Sequence, residues 1–253
     1  MPNNENTDLV YGRGPVRELL RGERQVECLL LQKGLEGGVP AQLAAMAKNK
    51  GLPVKQIDAQ GLDKLCGGAN HQGVAAQVSA MRYAELDDIF RRAGDEPVLL
   101  VVADEIEDPH NLGAIIRTAE AAGAHGLIIP KRRSAGLSQT VVKTSAGATE
   151  HLPVARVPNL PTVIEDIKVR GVWVYGADAK GKNYQEVDFS GPAALVLGSE
   201  GRGLGRLVRE RCDDLVSLPM HGKMTSLNVS VAAGILLYEI ARTRNHNLPE
   251  AHY

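Results

Sequence analysis

The chain of 253 residues is poor in the residues that most often signal a function. It has three cysteines, Cys28, Cys66 and Cys212, far apart and without a CxxC pair. That excludes the usual spacing of a zinc site or a redox pair, so no metal is expected, and isolated thiols fit a reducing compartment. Aromatic residues are 4% of the chain. Its apolar content is therefore mostly Val, Leu, Ile and Ala, as in sheets whose strands are buried on both faces by helices. The formal net charge of −1 argues against a uniformly basic polyanion binder. No apolar run approaches the roughly 20 residues of a membrane span. The opening MPNNENTDLV is polar, with no apolar core for a signal peptide, so the expected location is the cytoplasm. HExxH and GxSxG are missing, and Gly201, Gly203 and Gly205 lack the spacing of a dinucleotide fingerprint.

What is present is strand–helix alternation in two stretches. Residues 1 to about 8 read as disordered. From Val10 the pattern predicts helices over 14–20, 40–48 and 59–65 and strands over 26–32, 53–57 and 74–78, a small α/β unit assigned to residues 8–80. Residues 81–96 are strongly charged, with one weak amphipathic turn around Leu86, Ile89 and Phe90, and read as a linker. Residues 97–253 form the second unit. Strands are expected over 98–103, 127–129, 172–175, 194–197 and 215–218. Helices are expected over 112–122, 139–145, 160–169, 205–211 and 227–242. Buried strands alternating with helices imply a mostly parallel α/β sheet.

Three segments stand out, each at a strand end entering a helix, where parallel α/β folds place their ligands. The first, DPHNLGAIIRTAEAAG, starts at Asp108. Asn111 reads most simply as the N-cap of a helix stopped at Gly123. Arg117 interrupts an apolar helix face, and its plain reading is a surface arginine with a packed stem. The second, LVLGSEGRGL from Leu195, is a strand running into a glycine-rich loop with a single carboxylate, Glu200. The third, LPMHGKMTSLNVSVAA from Leu218, sets Ser226 and Asn228 at a helix start, where capping is again the plain reading. Two basic stretches, Lys131–Arg133 and Arg202/Arg206/Arg209/Arg211, are ordinary solvated surface or local phosphate sites, the second weighted more because it adjoins the glycine-rich loop. Gly176-Ala-Asp-Ala-Lys-Gly-Lys-Asn183 approaches a P-loop after a strand, with Asn183 where Ser/Thr would hold magnesium.

Taken together and in order, NLGAIIRTAEAAGA, LVLGSEGRGL and LPMHGKMTSLNVSVAAGILLYE resemble the three sequence blocks of the SpoU/TrmH family of RNA ribose 2′-O-methyltransferases, across essentially all of residues 97–244. YGRGPVRELL and NHQGVAAQV resemble the substrate-binding domain of the ribosomal-RNA branch. The resemblance implies a C-terminal SPOUT-type α/β domain with a trefoil knot and a small N-terminal α/β RNA-binding domain. It implies S-adenosyl-L-methionine as cofactor, held largely by backbone at Leu197, Gly198, Leu218, Met220, Ser226 and Leu227. It also implies active-site roles for Asn111, Arg117, Glu200, Ser226 and Asn228, with Arg117 orienting the 2′-oxygen and its phosphate. The implied substrate is a guanosine ribose in large-subunit (23S) ribosomal RNA. The family's homodimer could use the apolar stripe Val231, Ile235, Leu236 and Ile240, although a buried core helix would look the same. Alternatives are a transfer-RNA ribose methyltransferase, a non-catalytic RNA-binding protein of the same fold and, resting only on the imperfect P-loop, a nucleotide hydrolase.

Overall fold

A computed structural model describes residues 7–22, 24, 26–35, 37–79 and 83–244. The chain divides into two compact units, one of residues 1–82 with 137–151, the other of residues 83–136 with 152–253.

The first unit carries a four-stranded sheet in the order β1-β4-β2-β3, from β1 (Thr7–Tyr11), β2 (Val26–Gln32), β3 (Val54–Ile57) and β4 (Val74–Ser79). β4 pairs antiparallel with β1 and β2, while β2 and β3 run parallel. Alternation in the buried strand β2 splits its side chains between two cores. Leu29 and Leu31 join Val16, Leu19 and Leu20 of α1 (Arg13–Arg21) and Leu43 of α2 (Gly38–Asn49), whereas Cys28 and Leu30 pack with Leu62 of α3 (Ala59–Leu65). Of the N-terminal stretch expected to be disordered, residues 1–6 lie outside the described residues, and Thr7 and Asp8 already belong to β1.

The stretch 137–151 belongs to this unit although it lies far downstream in sequence. Its helix α6 (Gln139–Thr144) places Val142 in the same core as Leu29 and Leu43. Around it, Glu150 pairs with Arg24 at 3.4 Å and His151 with Glu18 at 3.0 Å. Burial pushes the Glu150 carboxyl above its ordinary range, partly offset by the Arg24 guanidinium.

The second unit is built on six strands in the order β10-β8-β9-β5-β6-β7, parallel at every pairing. They are β5 (Leu99–Ala103), β6 (Gly126–Pro130), β7 (Val154–Val157), β8 (Trp173–Asn183), β9 (Ala193–Leu197) and β10 (Asp214–Ser217). The central strands β5 and β9 are buried at every residue, as expected when helices cover both faces. α5 (Pro109–Ala121) packs against α9 (Val229–Arg244).

Two expectations are corrected. Residues 81 and 82 lie outside the described residues, but most of the stretch read as a linker is structured: α4 (Leu86–Ala93) buries Ile89 and Ala93 in the core with Leu100, Ile128 and Ile164. Its charges misled because they serve the helix itself. Glu85 and Asp88 form a capping box, and Arg170 of α7 (Leu160–Val169) pairs with Asp87 at 2.6 Å and lies over the Phe90 ring. The P-loop-like stretch is not a loop: residues 176–183 continue β8 in extended conformation, with Lys182 and Asn183 in register with Val216 and Ser217 of β10. No phosphate cradle forms there, which removes the ground for a nucleotide hydrolase.

Candidate active site

Three residues, one from each of the three segments singled out in the sequence, meet beyond the ends of β5 and β9. The Asn111 side-chain amide donates to Glu200 Oε1 at 3.1 Å. The Asn228 amide donates to Asn111 Oδ1 at 3.0 Å and also to Glu200 Oε1. The three are 117, 89 and 28 positions apart in sequence, so the fold assembles them.

The local structure explains how each becomes available. Asn111 is not the helix cap. Asp108 caps α5, accepting from the His110 N–H at 2.8 Å, with Pro109 in the first turn. Asn111 therefore sits inside the first turn with its amide free for Glu200. Asn228 does both jobs: its Oδ1 accepts from the Ser230 N–H at 2.9 Å at the head of α9, while its amide nitrogen reaches the other two residues. Glu200 rides on a closed turn in which Ser199 and Gly203 exchange backbone hydrogen bonds of 3.1 and 2.9 Å. Gly201 and Gly203 hold positive φ there.

Asp104, which sequence reasoning passed over, anchors that turn. Buried at the end of β5, it accepts from the Gly205 N–H at 2.7 Å, and its own N–H donates to the Leu197 carbonyl. Burial raises its pKa, opposed by the Gly205 hydrogen bond. A signal existed in the acidic run Asp104-Glu-Ile-Glu-Asp108, read only from its last residue. Residues 105–108 of that run line a cleft of about 280 Å³ with Asn111, Glu200, Arg202 and Val229. With Glu105 paired to Arg133, and Glu107, Asp108 and Glu200 against Arg202 alone, the cleft is rich in acceptors for hydroxyl groups and favours a cation over a phosphate.

Arg117 is exposed two turns further along α5 and makes no hydrogen bond or ion pair among the described residues. Ser226 and Leu227 lie exposed immediately before Asn228, and Met220 is exposed as well. Leu218, half-buried, follows β10, and Leu197, buried, ends β9. Gly198 follows β9 at a close backbone approach. A Cβ there would collide with the backbone of Gly203 and Leu204, so the glycine serves the closure of the turn. Most of the second basic stretch also reads differently. Arg206, Arg209 and Arg211 pair with Glu210, Asp178 and Glu165, leaving Arg202 to line the cleft. In the first stretch, Arg133 pairs with Glu105 at 2.8 Å.

The SpoU rRNA methylase family matches residues 98–238, and the RNA 2′-O ribose methyltransferase substrate-binding domain matches residues 9–84. A TrmH-family tRNA/rRNA methyltransferase of Bacillus subtilis is 49% identical over 96% of this chain and 98% of its own length. Among solved structures, the SpoU methyltransferase AviRb from Streptomyces viridochromogenes, in complex with AdoMet, is 30% identical with a TM-score of 0.80, covering 96% of this chain and 94% of that one. An AdoMet-bound rRNA methyltransferase from Sinorhizobium meliloti is 27% identical, TM-score 0.78, covering 95% and 88%. A TrmH/SpoU tRNA-modifying enzyme from A. aeolicus is 32% identical, TM-score 0.53, but covers only 59% of this chain and 76% of its own.

The residues present fit that cofactor. Among the described residues, the main chain of 219–227 makes no backbone–backbone hydrogen bond, so its groups are available to a ligand recognised through the backbone. The adjoining acidic cleft suits a sulfonium cation. Among the described residues, no group of three His, Cys, Asp or Glu is placed to hold a metal and no helix is long and apolar enough to cross a membrane. The chain belongs to the SpoU/TrmH family and is an RNA ribose 2′-O-methyltransferase that uses S-adenosylmethionine.

Proposed function

We propose that this chain methylates the ribose 2′-hydroxyl of a guanosine in large-subunit ribosomal RNA, acting as a homodimer. The active-site reading rests on the Asn111–Glu200–Asn228 triangle, which joins all three family segments at one cleft. S-adenosylmethionine supplies a methyl group already activated on sulfonium. The work left to the protein is to position the ribose and help its proton leave. Glu200, held by two amides, presents a fixed carboxylate, while Asn111, Ser226 and Asn228 orient ribose and cofactor. The main chain at Leu197, Gly198, Leu218, Met220, Ser226 and Leu227 holds the cofactor, and Gly198 also lets the adjoining turn close. Arg117, with no partner of its own, orients the 2′-oxygen and its phosphate and stabilises negative charge as the proton leaves.

The N-terminal unit supports the choice of RNA. The similarity to the S. meliloti rRNA methyltransferase runs through both units, whereas that to the A. aeolicus tRNA-modifying enzyme covers little more than half of the chain. The unit is proposed to recruit RNA and take no part in holding the cofactor. The dimer draws on α9, although the expected stripe divides. Leu236 and Ile240 are buried in their own unit, while Val231, Ile235 and Tyr238 stay exposed on one helical face, with Leu227 exposed just before the helix. Mapping 2′-O-methyl positions in ribosomal RNA from a strain lacking the protein tests the substrate. One missing guanosine modification, restored by the wild-type chain, is expected. Intact ribosomal RNA with a missing transfer-RNA modification would replace this reading with the alternative.

A further inference from the structure

A cavity of about 620 Å³ in the first unit lies where the β1–α1 turn meets the loop between α3 and β4. That volume falls in the range of about 300–1,000 Å³ typical of small-molecule sites. Its back wall is His71, only 8% exposed. The Gly73 N–H donates to His71 Nδ1 at 2.9 Å, so the neutral ring carries its proton on Nε2 and donates it to Asp63 Oδ1 at 2.9 Å. Asp63 is thereby fixed in direction while its second oxygen, Oδ2, makes no hydrogen bond among the described residues.

The rim is basic and equally fixed. Arg13 Nε donates to the Gln72 carbonyl at 3.2 Å, and the Arg13 N–H donates to Gln72 Oε1 at 3.0 Å. Gln72 and Gly73 both take positive φ to make this turn. The two terminal nitrogens of Arg13 remain without partners among the described residues. Nearby, the Lys143 ammonium donates to the Asn70 carbonyl at 3.3 Å and lies over the Tyr11 ring.

We propose that this cavity takes one unpaired guanosine of the substrate RNA, at a position other than the methylated one, with its base on Asp63 and its phosphate on Arg13. The proposal rests on the reading of this unit as the RNA-recruiting one. A carboxylate accepts from the N1–H and N2–H of guanine, whereas adenine, cytosine and uracil offer no such adjacent donor pair on that edge. The Gln32 and Asn70 amides lining the cavity can donate to guanine O6. Leu35 gives the base an apolar wall. Since that edge would be occupied in a duplex, the base must come from a loop, bulge or end. The phosphate goes to the planar guanidinium, which is already held in place.

The test uses the full chain and two labelled RNA hexamers, all uridine or with a single central guanosine. The guanosine hexamer is expected to bind at least about tenfold more tightly. Asp63→Asn keeps an acceptor for the His71 proton but replaces the free oxygen with an amide donor. It should abolish the preference while leaving the uridine hexamer and the thermal midpoint unchanged. Arg13→Ala should weaken both hexamers alike. Equal affinities in the wild type, or a preference that survives Asp63→Asn, would overturn the proposal. Methyl transfer to ribosomal RNA is measured separately. A preference lost in Asp63→Asn sustains the pocket even if no transfer occurs, and transfer without discrimination overturns the pocket alone.

Discussion

Ile89 offers a single-residue test of whether residues 83–96 belong to the catalytic unit. Its side chain is fully buried among Leu100, Ile128 and Ile164, and it fills the space beside Gly126, where a Cβ would lie 2.6 Å from Ile89 Cδ1. Ile89→Ala removes three carbons from a site walled by strands that cannot collapse onto the gap, a change that typically costs about 2–5 kcal/mol. In a solvated linker the same change would cost about 0.5 kcal/mol or less. The only tryptophan, Trp173, lies in β8 of this unit, so its fluorescence follows the unit's unfolding. With a urea slope of about 2 kcal/mol/M, the midpoint should fall by about 1–2.5 M. A shift under about 0.25 M would refute the packing argument. The same reasoning sets where the chain can be cut. Starting at Glu96 discards Ile89 and strips from α6 the core into which Val142 packs, so a chain beginning there should unfold far more readily than the whole protein.

Asp104→Asn should keep the Gly205 hydrogen bond while removing a buried charge. Because burial raises the folded-state pKa, the wild type holds this stability only while Asp104 is protonated and loses it as pH rises through the raised value. Urea midpoints should therefore show the variant gaining on the wild type from acid to neutral pH, and parallel curves would count against the burial argument. Asn228→Asp keeps an acceptor for the Ser230 N–H but sets a second carboxylate against Glu200. Single-turnover methyl transfer should drop at neutral pH and partly recover on acidification as the pair shares a proton, and a wild-type pH profile would refute the triangle's role. Arg117→Ala should lower methyl transfer by roughly 10² to 10⁴ with little change in cofactor affinity, and Arg117→Lys should rescue poorly, since one ammonium cannot reproduce a planar fork. Near-normal turnover in the alanine variant would return Arg117 to the surface.

Much of the secondary structure was legible because its periodicity is strong. β2, α3 and α7 take the predicted residues, and the buried strands β5 and β9 read as continuous apolar runs. Illegible elements had signals that mean something else locally. β7 is four residues long, with Arg156 exposed, too short for a pattern to register. β8 runs on through Gly176 and Gly181, which propensity reads as loop. They are glycines because close neighbours leave no room: a Cβ at Gly176 would lie 2.8 Å from Leu204 and Leu215, and one at Gly181 would meet the Leu215 backbone. The assignment of 137–151 to the first unit could not be read at all, since α6 has an ordinary local pattern and Val142 joins a core whose other residues lie more than 60 positions upstream.

The site shows the same division at finer grain. Residue types and order in the three segments identified the family, yet the plain reading made Asn111 and Asn228 helix caps and nothing more. For Asn111 that reading fails by three residues: Asp108 takes the cap, Pro109 fixes the first turn, and the asparagine is displaced onto the helix, where its amide donates to Glu200 and accepts from Asn228. For Asn228 it is half right, because one side chain has an acceptor for the α9 head and a donor for Glu200. A serine or aspartate could cap α9 equally well, but neither offers an acceptor and an amide donor on the same short stem. What requires asparagine at 228 is therefore not the helix but the carboxylate 28 residues before it. That requirement is visible only once the fold has brought β9 and α9 to the same cleft.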